Sequence, residues 1–281
     1  MRLLRVADPP TFGNLATMFS ELLDRWSLTR DGNAITTPTS ILLPVRAGDA
    51  RAMLKIAVLE EERRGGHVMR WWDGHGAARV LAYTSDAILM ERAEERVCLA
   101  DMAQNGLDAE ASRIICAVVA QLHALRAQPP PALVPLARWF EPLNSAAKTY
   151  GGMFGIAHRT ALRLLAGERD IVVLHGDVHH SNILDFGARG WLAIDPKGLL
   201  GERYFDYANI FCNPDPMIAT MPGRLARQSR VVAEAAQIER SRLLAWIVAW
   251  AGLSAAFAVD NSQPPADALS IAQIAAAELS R

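Results

Sequence analysis

The stretch IVVLHGDVHHSNIL (171–184) places His175, Asp177, His179, His180 and Asn182 directly behind a β-branched run. Two chemistries use such residues. Imidazole nitrogens together with a carboxylate are zinc ligands. An aspartate and an asparagine in one loop suit magnesium-dependent phosphoryl transfer instead, the first orienting an alcohol and the second offering an amide oxygen to the metal. Adjacent residues of a short loop seldom converge on one ion without distant partners. His67, His75, His123 and His158 stand alone and show no ligand spacing. The zinc site of a metal-dependent hydrolase is therefore the poorer reading.

The following residues favour phosphate chemistry. ILDF (183–186) and WLAI (191–194) flank the glycine-bounded run Gly187-Ala188-Arg189-Gly190, which predicts a β-hairpin with a four-residue turn. Pairing symmetric about that turn sets Asn182 opposite Asp195, with Cβ atoms roughly 4.5–5.5 Å apart. A neutral oxygen donor and a carboxylate then share the mouth of the ladder. Magnesium takes hard oxygen ligands, usually one or two carboxylates with substrate phosphates. Asp177 precedes Asn182 in the same loop, near enough to accept the proton of an alcohol.

The pattern H-G-D-x-x-x-x-N, a hydrophobic strand and then I-D resembles the catalytic core of the aminoglycoside phosphotransferase family, relatives of the protein kinases. HGDVHHSNIL followed by GWLAIDPKGLLGERYFDYAN (190–209) is most similar to its streptomycin 6-phosphotransferase and hydroxyurea phosphotransferase branch. The likeness is dense over 171–209, continues through 28–93 and touches LSAAFAVD (253–260). It implies an enzyme using ATP and Mg2+, with Asp177 as catalytic base and Asn182 and Asp195 as metal ligands. His175 would support the loop backbone, and Asp206 would brace it from the following segment. His179 and His180 match no required position and read as exposed loop histidines.

Phosphates call for positive charge, and the chain has only three lysines, Lys55, Lys148 and Lys197. Lys55, in RAMLKIAV, sits inside an apolar strand, where a charge is expensive unless paired. The resemblance makes it the nucleotide lysine, paired with a glutamate of the next helix, Glu62 or, second, Glu61. Backbone groups near Glu91 and Ala93 would meet the adenine edge. The family's glycine-rich phosphate loop is missing. TTPTS (36–40) stands there, so Thr39, Ser40 and neighbouring amides are the candidates for capping phosphates.

The acceptor is expected beside Asp177, on carboxylates if it is a polycation; Glu202, Asp215 and Asp260 are the candidates. Trp246 and Trp250, four apart on one helix, read as core packing. The favoured substrate is a hydroxyl of a streptomycin-type aminoglycoside. Hydroxyurea or a metabolic sugar is the alternative acceptor, and a nucleotide-binding pseudokinase the non-enzymatic alternative. A pseudokinase usually lacks one of the residues matched here by Lys55, Asp177, Asn182 and Asp195.

These residues must be positioned by two kinds of structure. Residues 12–26 read as a helix. Short strands follow at SLTRDG, ITTPTSILLPV and ARAMLKIAV, separated by turn signals at Asp31-Gly32 and Ala47-Gly48-Asp49. A charged helix over 60–72 contains Gly65-Gly66, each costing about 1 kcal/mol against alanine. AARVLAY and AILMERA complete a small sheet. Helical periodicity then dominates, over 109–126, 150–167, 225–237, 240–259 and 265–279. The expected architecture is α+β: a bilobal protein-kinase-like fold with a small antiparallel-sheet N-lobe (1–93) and a larger, mostly helical C-lobe (94–281).

Composition agrees with an ordinary globular chain: 51% of the 281 residues are apolar. With 29 Lys and Arg against 30 Asp and Glu there is no basic excess for nucleic acid. Cys98, Cys116 and Cys212 are odd in number and scattered, which points to a reducing, cytoplasmic setting. The apolar run 243–259 is short of the roughly 20 residues a membrane span needs, so a buried core helix and no membrane association are expected. The partner is then a small molecule, bound by a monomer or weak homodimer.

Overall fold

The computed structural model describes residues 12–281 apart from residue 95, with side chains from residue 17 onward. Helix α1 (Phe12–Arg25) precedes a six-stranded antiparallel sheet built from β1 (Leu28–Arg30), β2 (Ile35–Thr36), β3 (Ser40–Ala47), β4 (Ala50–Ala57), β5 (Val80–Tyr83) and β6 (Ala87–Glu91). The order is β1-β3-β4-β6-β5, with β2 on the flank of β3. Alternation along the strands decides what each face does. Ile41, Leu43 and Val45 of β3, Ala52, Leu54 and Ile56 of β4, and Ala87 and Leu89 of β6 pack under Phe19 and Leu22 of α1. Their neighbours Leu42, Met53, Ile88 and Met90 point the other way and join Leu184, Leu192 and Ile194 of the second lobe in a separate cluster. Lys55, in phase with Met53, therefore faces the junction between the lobes.

Helix α2 (Glu60–Trp72) crosses that junction. The two glycines inside it have a packing reason. A Cβ on Gly65 would stand 2.2 Å from the Pro196 carbonyl oxygen, and one on Gly66 3.2 Å from Ile88. The helix thus approaches the 195–197 segment more closely than any side chain permits.

The helical lobe contains α3 (Leu99–Met102), α4 (Asp108–Leu122), α5 (Leu136–Trp139), α6 (Glu141–Tyr150), α7 (Gly152–Ala166), α8 (Phe205–Ala208), α9 (Pro216–Ala219), α10 (Arg224–Ala235), α11 (Arg240–Asp260) and α12 (Ala266–Leu279). Helix α11 is apolar all round and lies among α6, α7, α8 and α12, with 61% of its apolar window buried inside the protein. The core of the lobe forms around it.

Two small sheets carry the loops of interest. Strand β8 (Ile171–Leu174) pairs antiparallel with β11 (Leu199–Glu202), which pairs parallel with β7 (Val134–Pro135). Strands β9 (Ile183–Asp185) and β10 (Trp191–Ala193) form the hairpin, one residue out of the expected register: Leu184 faces Leu192 and Ile183 faces Ala193. The turn is a residue shorter than expected. Gly190, at φ 74° and ψ −153°, a conformation reserved for glycine, still belongs to the ladder and accepts from Phe186 N–H at 2.9 Å. A slip of one residue changes every facing pair, so Asn182 lies opposite Ile194, whose N–H donates to its carbonyl at 2.9 Å. Asp195 comes next, beyond the ladder, with φ of 60°. This left-handed turn, uncommon for a residue with a Cβ, gives Asp195 a direction of its own.

Candidate active site

Strand β8 delivers the loop that begins at His175. The buried carboxylate of Asp206, on α8, accepts from His175 N–H (2.9 Å), Gly176 N–H (2.7 Å) and the Nε2 of His123 (2.7 Å). His123 therefore does not stand alone, as its isolation in the sequence suggested. His175 is fully enclosed, against the face of Trp72 at 6.1 Å between ring centroids. Its Nε2 meets the Ile194 carbonyl (2.7 Å) and its Nδ1 accepts from Asp177 N–H (3.2 Å). One partner only accepts and the other only donates, so the ring is the neutral Nε2–H tautomer. Burial holds its pKa below the usual histidine value, in agreement.

Asp177 projects from this braced loop into a cavity. Its Oδ1 accepts from Asn209 Nδ2 (2.9 Å), and Asn209 is in turn held by Asn213 (2.8 Å). Asn182 donates Nδ2 to the Asp177 carbonyl at 2.9 Å. This donation leaves the Asn182 amide oxygen without a protein donor among the described residues. Asn209 is a side chain the sequence reading passed over, although it ends the quoted run YFDYAN.

The histidines disperse. His179 is half-buried, with Nε2 4.0 Å from Asp177 Oδ2. Burial, only partly opposed by that carboxylate, keeps its pKa below the ordinary value. His180 corrects the expectation of exposure: it is 1% exposed, and neither ring nitrogen has a partner among the described residues. Burial and the nearby Arg224 push its pKa down to about 4. Among the described residues no three His, Cys, Asp or Glu side chains form a metal cluster.

Opposite the loop, Lys55 is buried at 5% exposure and bonds to Glu62 of α2 and, at 2.5 Å, to Asp195 Oδ1. Burial raises the Asp195 pKa, but the ammonium of Lys55 outweighs it and the net shift is downward. Among the described residues Asp195 has no partner on its second oxygen. Glu61 pairs not with Lys55 but with Lys197, at 2.9 Å. Lys197 Nζ also lies 3.5 Å from Glu62 Oε1 and 3.9 Å from Asp177 Oδ2. Its burial works against charge, yet Glu61, Asp177 and Glu62 together raise its pKa above the lysine norm.

The segment that leaves β6 toward the second lobe is tied to the hairpin. Glu94 N–H donates to the Asp185 carbonyl (2.8 Å), and the Glu91 carboxylate receives Arg189 Nη1 (2.6 Å). Ala93 is buried in the interlobe cluster beside half-buried Leu42, Met53, Leu184 and Ile194. The 36–40 segment closes on itself: Ser40 N–H donates to Thr37 Oγ1 (2.9 Å), Ser40 is 1% exposed, and the Thr39 carbonyl takes Val58 N–H (2.9 Å). The amide of Ser40 is thus already used, contrary to a free phosphate-capping role.

The cavity beside Asp177 has a volume of about 280 Å³ and is walled by Trp139, Trp250 and Phe257, with Glu61 and Lys197 at its polar end. Trp250 packs against the edge of the core and also lines this space, whereas Trp246 is fully buried and donates Nε1 to Glu202 at 2.9 Å. Two expected acceptor carboxylates, Glu202 and Asp215, do not line this cavity. Glu202 is 0% exposed, and both its oxygens are engaged by Arg242. Its apolar surroundings and short strand demand a paired charge, which makes it part of the core. Asp215 caps α9 through Ile218 N–H (3.0 Å) and accepts from Gln104 (2.9 Å). Asp260 is exposed at the end of α11, three residues past Phe257 on the same helix face.

Residues 25–262 match the family model described as aminoglycoside/hydroxyurea antibiotic resistance kinase. Streptomycin 3''-kinase of Klebsiella pneumoniae is 51% identical over 244 residues, covering 85% of this chain and 91% of that one. Streptomycin 6-kinase of Streptomyces griseus is 30% identical over 252 residues, covering 84% and 80%. Among solved structures, a thermostable mutant of aminoglycoside phosphotransferase APH(4)-Ia in ternary complex with ADP and hygromycin B superposes with a TM-score of 0.63 at 15% identity, covering 93% and 97%. The chain belongs to the aminoglycoside/hydroxyurea antibiotic resistance kinase family and has the bilobal, protein-kinase-like fold of a small-molecule phosphotransferase.

Proposed function

We propose that this protein transfers the γ-phosphate of ATP to a hydroxyl of a streptomycin-type aminoglycoside. The 51% identity to a streptomycin 3''-kinase carries the proposal, and it favours the 3'' hydroxyl over the 6 position of the more distant kinases. In this reading residues 1–93, of which 1–11 lie outside the described residues, form the nucleotide lobe and 94–281 the catalytic and acceptor lobe. Adenine lies between Leu42 and Met53 of the sheet and Leu184 and Ile194 of the hairpin, its edge toward the backbone of Glu91–Ala93. Lys55, held by Glu62, faces the phosphates.

The uncommitted oxygens of Asn182 and Asp195 are a hard, all-oxygen pair at one end of the hairpin, which fits magnesium rather than zinc. Bound there with the nucleotide, magnesium would offset the phosphate charge. Asp177, aimed by Asn209, accepts the hydroxyl proton as the acceptor oxygen attacks. The acceptor ring rests against Trp139, Trp250 and Phe257, apolar faces suited to a sugar's C–H surface. Hydroxyurea, a molecule of a few atoms, would leave most of the 280 Å³ cavity unfilled. The test is ADP release from Mg-ATP across a panel with streptomycin, hydroxyurea and simple sugars. Streptomycin-dependent release with the phosphate on the 3'' oxygen is expected; release equal with and without every acceptor would refute the proposal.

A further inference from the structure

Of the chain's three lysines, Lys55 has a place in the reading above; Lys197 does not. It is, nevertheless, built in as firmly as any residue of the site. Its N–H donates to the His175 carbonyl at 2.6 Å, and its own carbonyl accepts from Arg64 Nε at 2.8 Å. The backbone is thus pinned between the catalytic loop and α2 while the side chain, 17% exposed, reaches into the cavity. Glu62 receives Lys55 on one oxygen and lies 3.5 Å from Lys197 through the other. Lys197 then stands 3.9 Å from Asp177. The series Lys55, Glu62, Lys197, Asp177 runs from the nucleotide side to the base, across the space a phosphoryl group must traverse. Among the described residues Lys197 is the one cation lining the acceptor cavity.

Three carboxylates surround it, Glu61, Glu62 and Asp177, and of these only Glu62 has a second ammonium, that of Lys55, within reach. A phosphoryl group arriving beside Asp177 would add more negative charge to that cluster. With no cation there, the carboxylates would repel the group; with one, the added charge has a partner in a partly enclosed site, where such interactions are strong.

We propose that Lys197 is a catalytic residue that contacts the oxygens of the transferring phosphoryl group, leaving Glu61 as the transfer proceeds. The proposal rests on the phosphotransferase reading. The acceptor oxygen forms a bond to the γ-phosphorus while the bond from that phosphorus to the β,γ-bridging oxygen breaks. The electron pair leaves with ADP, and the hydroxyl proton passes to Asp177. Lys197 makes and breaks no covalent bond; it offsets the charge on the equatorial oxygens.

The experiment measures Mg-ADP affinity by calorimetry with and without tetrafluoroaluminate, a planar anion that mimics the phosphoryl group in flight. No acceptor is added, so the result is independent of which acceptor is correct. Wild-type protein should bind Mg-ADP roughly tenfold tighter with the anion. Lys197→Met should keep the affinity for Mg-ADP alone and lose that gain, and Lys197→Arg should retain most of it. Glu61→Gln, which removes the resting partner but not the cation, should keep the gain. With a working acceptor, Lys197→Met should lower kcat about 10²–10³-fold with little change in the KM for ATP. Melting curves check folding, and Lys197→Gln replaces Lys197→Met should the latter unfold. The proposal is overturned by a wild-type protein that gains nothing from the anion, by a Lys197→Met variant that keeps the gain, or by a Glu61→Gln variant that loses it equally, since the last would mark a merely structural ion pair. Acceptor-independent ADP release in the wild type would refute the proposed substrate instead and leave the fluoride comparison intact.

Discussion

At the scale of single residues, the site is a set of groups whose directions are set by hydrogen bonds outside it. Asp177 owes its aim to Asn209 and its backbone to His175 and Asp206. Asp177→Asn keeps that geometry and removes the proton acceptor. It should lower kcat about 10²–10⁴-fold with Mg-ATP affinity within a few-fold of wild type, measured by turnover and calorimetry. His180 tests burial rather than catalysis. Folded, it stays neutral down to about 4, against an ordinary value of 6.5. Below 6.5 the unfolded chain takes a proton that the folded one refuses. Stability therefore falls as pH drops from 6.5 toward 4, by up to about 3 kcal/mol in total. Its ring nitrogens have no partners among the described residues, so His180→Leu forfeits no hydrogen bond. Denaturant melts should show a shallower loss between pH 7 and 5 for the variant; parallel curves would contradict the assignment.

At the scale of elements, α2 and the hairpin bring together what the chain keeps far apart. Lys55 and Asp195 are 140 positions apart and bond at 2.5 Å. Their meeting depends on α2 lying against the 195–197 segment, and Gly65 allows that approach. Gly65→Ala improves helix propensity by roughly 1 kcal/mol but sets a methyl against a backbone oxygen that cannot rotate away. Crowding of this kind costs about 1–3 kcal/mol, so the variant should be less stable overall. Nucleotide affinity should fall further than melting temperature alone accounts for, because α2 carries Glu62. A Gly65→Ala protein binding Mg-ATP like the wild type would remove α2 from this role. The one-residue shift of the hairpin belongs to the same scale. Whether the ladder closes at Phe186–Gly190 or a residue further out depends on backbone angles at Gly190, where glycine permits several.

For the whole molecule, the division of labour is between a core that holds charge in place and a cleft that uses it. Glu202, expected at the acceptor site, anchors Arg242 and Trp246 inside the helical lobe. Glu202→Ala should cost about 1–3 kcal/mol, because it leaves the buried Trp246 Nε1 without its acceptor. The KM for the acceptor should be unchanged in the protein that remains folded. A stable variant with a raised acceptor KM would restore Glu202 to the acceptor site. Trp250→Ala should raise the acceptor KM roughly tenfold and also lower thermal stability, since this half-buried side chain lines the cavity and packs against the core.

The chain alone determined the order of elements, the alternation that turns Lys55 away from the sheet core, and the catalytic loop with its aspartate and asparagine. These are local: periodicity and short fixed spacings survive in one dimension. Tertiary structure decided the rest. Glu202 and Asp260 look alike as isolated carboxylates, yet one is sealed beside an arginine 40 positions away and the other is in solvent. Trp246 and Trp250 share a helix face by spacing and both pack on the core, but only Trp250 also meets the cavity. Glu62 ranks ahead of Glu61 as the partner of Lys55 in the sequence, but only the packing of α2 turns Glu61 to Lys197 instead. In every such case the deciding quantity is burial or a partner far along the chain, and neither is present in local sequence.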